Sequence, residues 1–135
     1  MVSAHLRSLQ AGRLTDVPSN DQHTVRPWFN GKLAVAPPVV NLAGQGFTLV
    51  GGRLDYIRGK AVAAIVYRRQ AHIINLFVAQ AADIEPGVAG HRTVQGFNVR
   101  RWSAQGLRFV AISDIDAREL QKFATEIEAA TGAGG

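Results

Sequence analysis

The sequence contains no cysteine. That excludes disulfides, thiol nucleophiles and cysteine-based zinc sites, and leaves the redox compartment open. Long apolar runs are also missing: nothing approaches the roughly 20 consecutive apolar residues that a membrane-spanning helix needs. Aromatics are sparse at 7% and charged residues at 19%, against 47% hydrophobic, an ordinary globular balance. A chain of 135 residues fits one domain with a core large enough to stand without staples. Acidic residues are the scarcer sign, ten against fifteen basic, for a formal charge of +5. The arginines are scattered, and only Arg68-Arg69 and Arg100-Arg101 stand as pairs, so the charge reads as a solvated basic surface before it reads as a binding face.

What is present is organised around residues 49–79. Three apolar runs, Val50–Ile57, Val62–Tyr67 and Ile73–Ala79, are joined by short connections, Arg58-Gly59-Lys60 and Arg68-Arg69-Gln70-Ala71. Connections this short join antiparallel strands, so the stretch predicts a β-meander. In the third run Ile74, Leu76 and Val78 alternate with Ile73 and Phe77, broken by Asn75. A strand apolar on both sides needs cover on both, which places it near the middle of a sheet. A fourth strand is expected over Val94–Ser103 and a fifth over Leu107–Ser113, turning at Gln105-Gly106. Asp116, with Glu119 three residues on, reads as a capping box for a helix whose stripe is Leu120, Phe123, Ala124 and Ile127. The expectation is an α+β domain: a five-stranded antiparallel meander-type sheet, a C-terminal helix packed on it, and an N-terminal stalk helix over 2–12 with Val2, Leu6 and Leu9 as its stripe and Gly12 as its stop. Residues 1–19 form stalk and linker, 20–130 the domain, and 131–135 a frayed tail.

Several constellations carry chemistry elsewhere and do not carry it here. His5, His23, His72 and His91 lack the spacing that puts two ligands on one helix face, so no metal is expected. Asp114 and Asp116 precede a helix, where carboxylates satisfy free N–H groups. Gly44-Gln45-Gly46 and Gly51-Gly52 fit no phosphate-loop spacing, and the second pair inside a strand reads as a bulge or a close backbone contact. Trp28 and Phe29, beside Arg26 and Lys32, read either as a ligand platform or as a plug closing the core, with Pro27 opening a short helical turn. Trp28, Phe29, Arg68, Arg69 and Trp102 are the candidate partner or ligand contacts. No catalytic residue, cofactor or nucleic-acid partner is expected.

The segments DQHTVRPWFNGKL (21–33), PPVVNLA (37–43), GFTLVGGRLDY (46–56), AAIVYRR (63–69), HIINLFV (72–78), GFNVRRW (96–102) and VAISD (110–114) occur in this order across nearly the whole chain. In that order they resemble the extracytoplasmic part of proteobacterial transmembrane anti-sigma factors. The resemblance implies a sensing or regulatory domain that acts by binding, not by turnover. It also implies a periplasmic location, with anchoring to the inner membrane through an upstream single-pass helix, and Met1 as an introduced start. The sigma factor would be held by a cytoplasmic domain outside this sequence, and a periplasmic signal protein or protease, or a second copy in a homodimer, would be the partner here. The alternatives from other classes are a small ligand-binding protein or enzyme using 80–92 with Trp28 and Phe29, and a nucleic-acid module on Arg68, Arg69, Arg100 and Arg101.

Overall fold

The structure, a computed structural model, describes residues 2–9, 14–33, 36–80 and 90–133. Gly12, most of the 80–92 loop and the end of the tail lie outside the described residues. The elements run α1 (Val2–Ser8), β1 (Val17–Pro18), α2 (Gln22–Trp28), β2 (Thr48–Ile57), β3 (Lys60–Arg69), β4 (His72–Gln80), β5 (Gly90–Val94), β6 (Phe97–Ala104), β7 (Leu107–Ser113) and α3 (Ala117–Ala133). The sheet is antiparallel, in the order β1-β2-β3-β4-β7-β6-β5. It is two three-stranded meanders joined edge to edge at β4 and β7, with β1 added outside β2.

Seven strands replace the expected five. The strand expected over Val94–Ser103 starts only at Phe97, because Gln95-Gly96 make a turn with φ of +53° and +84°, and β5 occupies the end of the stretch expected as the 80–92 loop. Two positive φ values in a row define the tight turn that matches strand twist, and the same geometry recurs at Arg58-Gly59 and Gln105-Gly106. The residues before this turn pair back as β5, Val94 opposite Phe97 and Gly90 opposite Arg101. The other addition, β1, is two residues inside a polar, turn-rich stretch with no periodicity to show it. It exists because Gly51 and Gly52 lie opposite Pro18 and Val17. A side chain at Gly51 would collide with the carbonyl of Val17, and its φ of +153° also favours glycine. A bulge between Leu49 and Gly51 shifts the register there.

Alternation divides the side chains between two faces. One carries Ala63, Ile65, Tyr67, Ile74, Leu76, Val78, Phe109 and Ala111, covered by α2, the segment 36–47 and α3. From α3 come Leu120, Phe123 and Ile127, all fully buried, with Phe123 edge-on to Phe47 and Tyr67. Asp116 accepts from the Arg118 backbone N–H at 2.7 Å, so half of the expected capping box is formed. Glu119 completes an ion pair with Arg69 instead. The helix runs three residues beyond the expected end at Ala130, and the Thr131 hydroxyl donates back to the Ile127 carbonyl at 2.8 Å. Segment 36–40 is held to the sheet by Tyr67, whose hydroxyl donates to the Val40 carbonyl at 2.6 Å and accepts from its N–H at 3.3 Å. Burial pushes the Tyr67 phenol well above its ordinary pKa, which keeps that donor protonated.

The opposite face carries Val62, Ala64, Phe77, Val99, Val110 and Ile112, and α1 lies on it through Ala4. Helix α1 therefore packs on the sheet. Its buried residues are Ala4, His5 and Ser8, while Leu6 and Leu9 of the expected stripe are 44% and 48% exposed. A seven-residue helix is too short to hold its own shape in water, so it depends on this contact.

Candidate functional site

The contact beneath α1 is polar at its centre. Asn75 sits on β4, the fourth strand of seven, and is fully buried. Arg53 on β2 reaches it across β3, and the Arg53 Nη1 donates to Asn75 Oδ1 at 2.8 Å and to the Leu14 carbonyl at 3.1 Å. Arginine has only donors, so this contact fixes the amide: Oδ1 faces Arg53 and Nδ2 faces α1. Asn75 Nδ2 lies 2.7 Å from His5 Nδ1 and 2.8 Å from Ser8 Oγ. Ser8 spends its own proton on the His5 carbonyl at 2.7 Å, so it accepts from Asn75. The remaining amide proton goes to His5 Nδ1, which must then carry a lone pair. The hydrogen-bond directions admit one protonation state: His5 neutral, with its proton on Nε2.

The electrostatics agree with the bond directions. Burial pulls the His5 pKa down from 6.5 to about 4, with Asp114 opposing and Arg53 adding to the depression. The ring stands edge-on to Phe97, with centroids 5.0 Å apart. Arg53 is itself buried, and burial lowers its pKa against the support of Asp55 at 3.3 Å. The guanidinium lies over the Phe77 ring at 5.7 Å, and Asp55 also approaches Arg7 of α1 at 3.6 Å. Five side chains from three elements thus form one chain, Arg7–Asp55–Arg53–Asn75–His5, with Ser8 branching from the amide. Such a network is stable when every member is satisfied and costly when one is not.

The residues expected to make contacts with partners do not converge. Trp28 and Phe29 stand edge-on at the end of α2, Phe29 fully buried over Gly52 and Trp28 half-buried beneath Lys32, whose Nζ is 4.7 Å from the ring. A side chain at Gly52 would come within 2.8 Å of the Phe29 ring, which explains a glycine at that register position. Arg68 and Arg69 point to opposite faces by alternation. Arg68 is exposed, while Arg69 lies over Phe47 and its Nε is 3.0 Å from Glu119 Oε2, an ion pair without hydrogen-bond alignment. Trp102 stacks on Phe109 at 5.2 Å, far along the strand order from α2, and its indole N–H is shielded without an acceptor among the described residues. Arg100 and Arg101 are likewise split between faces.

His5, Ser8, Arg53 and Asn75 were not singled out from sequence as a site. The one signal was Asn75, a polar interruption in an otherwise apolar strand. Among the described residues no group of three metal-ligating side chains occurs, and no helix is long and apolar enough to cross a membrane. A cavity of about 330 Å³ lies between segment 36–40, the β6–β7 turn and the end of α3, with Arg26, Val40, Leu107, Phe109 and Thr131 in its wall. Trp28 does not line it. Comparison of the chain with protein-family models, curated proteins and solved structures returned no match.

Proposed function

We propose that this chain is a regulatory domain that works by binding, the periplasmic part of a membrane-anchored anti-sigma factor, in which α1 reports the state of the sheet to the segment preceding it. The family assignment rests on the ordered resemblance of the seven segments named above. The observation that carries the mechanism is the seating of α1 on Asn75 through a network that admits one protonation state of His5. A short helix held by a few directional bonds has two discrete positions, docked and released. A signal is transmitted only if it binds those positions with different affinity. Release would alter the geometry or protease exposure of the segment leading to the membrane, and with it the retention of the sigma factor.

The test uses the full-length protein in its native host with a sigma-dependent reporter. Deleting residues 20–135 is expected to change reporter output, and Asn75→Ala is expected to change it in the same direction by loosening α1. Reporter output unaffected by the deletion would end the anti-sigma reading. Output changed by the deletion but indifferent to Asn75→Ala would remove α1 docking from the mechanism.

A further inference from the structure

The hairpin of β5 and β6 carries three arginines that the α1 network does not use, and two of them share a face. Arg92 lies opposite Val99, and Arg101 lies opposite Gly90. Alternation puts both guanidiniums on one face as diagonal neighbours, within reach for long side chains. It is the α1 side of the sheet, because Val99 and Val110, the latter opposite Arg101 on β7, belong to the cluster that α1 covers. One row further, Arg108 lies opposite Ser103, its Nη1 3.5 Å from the hydroxyl. The neighbouring Arg100 faces the other way, opposite His91 and Ala111.

Among the described residues no carboxylate forms an ion pair with Arg92 or Arg101. Arg101 is half-buried, and burial first, then the Arg92 charge, lowers its pKa. Two like charges held together at a partly desolvated position oppose folding unless something negative joins them. The geometry also selects the anion. One guanidinium fork saturates a carboxylate, whereas two forks arriving from adjacent strands match the several acceptor oxygens of a tetrahedral oxyanion.

We propose that Arg92 and Arg101 form a phosphate-binding site on the α1 side of the β5–β6 hairpin. The phosphate is either free in solution or the headgroup of an anionic phospholipid.

The test uses the full chain. Its melting temperature is followed in increasing sodium phosphate against sodium chloride of matched ionic strength, with the arginine Nε–H resonances followed alongside. Co-sedimentation with phosphatidylglycerol and phosphatidylcholine vesicles forms the second arm. Arg92→Gln, exposed and safe for folding, and Arg101→Gln are compared with Arg100→Gln, which removes the same charge from the opposite face. The expected result is a saturable rise in melting temperature with phosphate, or selective sedimentation with phosphatidylglycerol, weakened about tenfold by Arg92→Gln and Arg101→Gln and unaltered by Arg100→Gln. A response to phosphate in solution assigns the site to the free ion. A response only to phosphatidylglycerol vesicles, lost in the same two variants, assigns it to the headgroup. In phosphate-free buffer Arg92→Gln should also melt higher than the unaltered chain, because it relieves the repulsion. The proposal falls if neither arm responds, or if Arg100→Gln weakens the response as much as Arg101→Gln.

Discussion

Lowering the pH should release α1, and His5 should be the reason. Asn75 Nδ2 can only donate, and it points at His5 Nδ1 from 2.7 Å. A protonated ring would set donor against donor with Arg53 close behind. The charged groups around the ring are Arg53 on β2, which opposes protonation, and Asp114 after β7, which favours it; Phe97 on β6, Ser8 and Asn75 are neutral. A ring held at about 4 when docked and free to titrate near 6.5 when released makes the docked state about 3 kcal/mol more favourable for neutral His5 than for the cation. The sign follows from the direction of the shift: the released state binds more protons between these values. The contribution is therefore complete above about pH 6.5, declines as pH falls toward 4, and is exhausted below that. Hydrogen exchange of the α1 amides, and the melting temperature, should be measured from pH 7.5 to 4 in the unaltered chain and in His5→Gln. Carboxylates titrating near pH 4 affect both proteins, so the difference between them isolates His5. Identical pH profiles, or a His5 ring that titrates near 6.5 in the folded chain, would refute the assignment of the hydrogen-bond directions.

Other expectations follow from the same contacts. Asn75→Ala strips Arg53 of one of its acceptors, and His5 and Ser8 of their amide donor, so urea unfolding should show a loss of about 3 kcal/mol, with α1 exchange accelerated more than that of α3. Gly52→Ala places a methyl group against Phe29 and should cost about 1–3 kcal/mol; combining it with Phe29→Leu should recover part of that loss. Tyr67→Phe removes the only side-chain bonds described between the sheet and Val40, and should lower stability by about 1 kcal/mol while deprotecting the amides of Val39 and Val40.

How much of this was legible in the sequence depended on whether a signal was local. The meander of β2, β3 and β4 was visible because apolar alternation and Arg58-Gly59 are local features, and the stripe of α3 because its period is. Strand β5 lies at the end of the stretch expected as the 80–92 loop, even though Gln95-Gly96 has the composition of Gln105-Gly106. A five-residue strand with exposed His91, Arg92 and Thr93 has no apolar alternation to announce it. Strand β1 is specified by what Gly51 and Gly52 lack, a property of the partner and not of Val17-Pro18. The face of α1 was misassigned for a deeper reason. Leu6 and Leu9 outrank His5 and Ser8 on any hydrophobic scale, yet Asn75 and Arg53 make the surface beneath the helix polar, and a helix docks the face that satisfies its partner. Asn75 alone hinted at that surface, and nothing in one sequence links positions 5, 8, 53 and 75.

The placement of α1 over Ala64, Phe77, Val110 and Ile112 makes the helix the cover of an apolar face as well as part of the fold. Any molecule that takes this face must first evict α1, so its measured affinity is its intrinsic affinity scaled by the fraction of chains already vacant. By reciprocity, each such binder holds α1 off in proportion to its own concentration. The helix is in this sense an inhibitor carried on the same chain, and its effective concentration is set by the residues joining it to the sheet. Lengthening that connection should let competitors in without altering a single contact in the docked state.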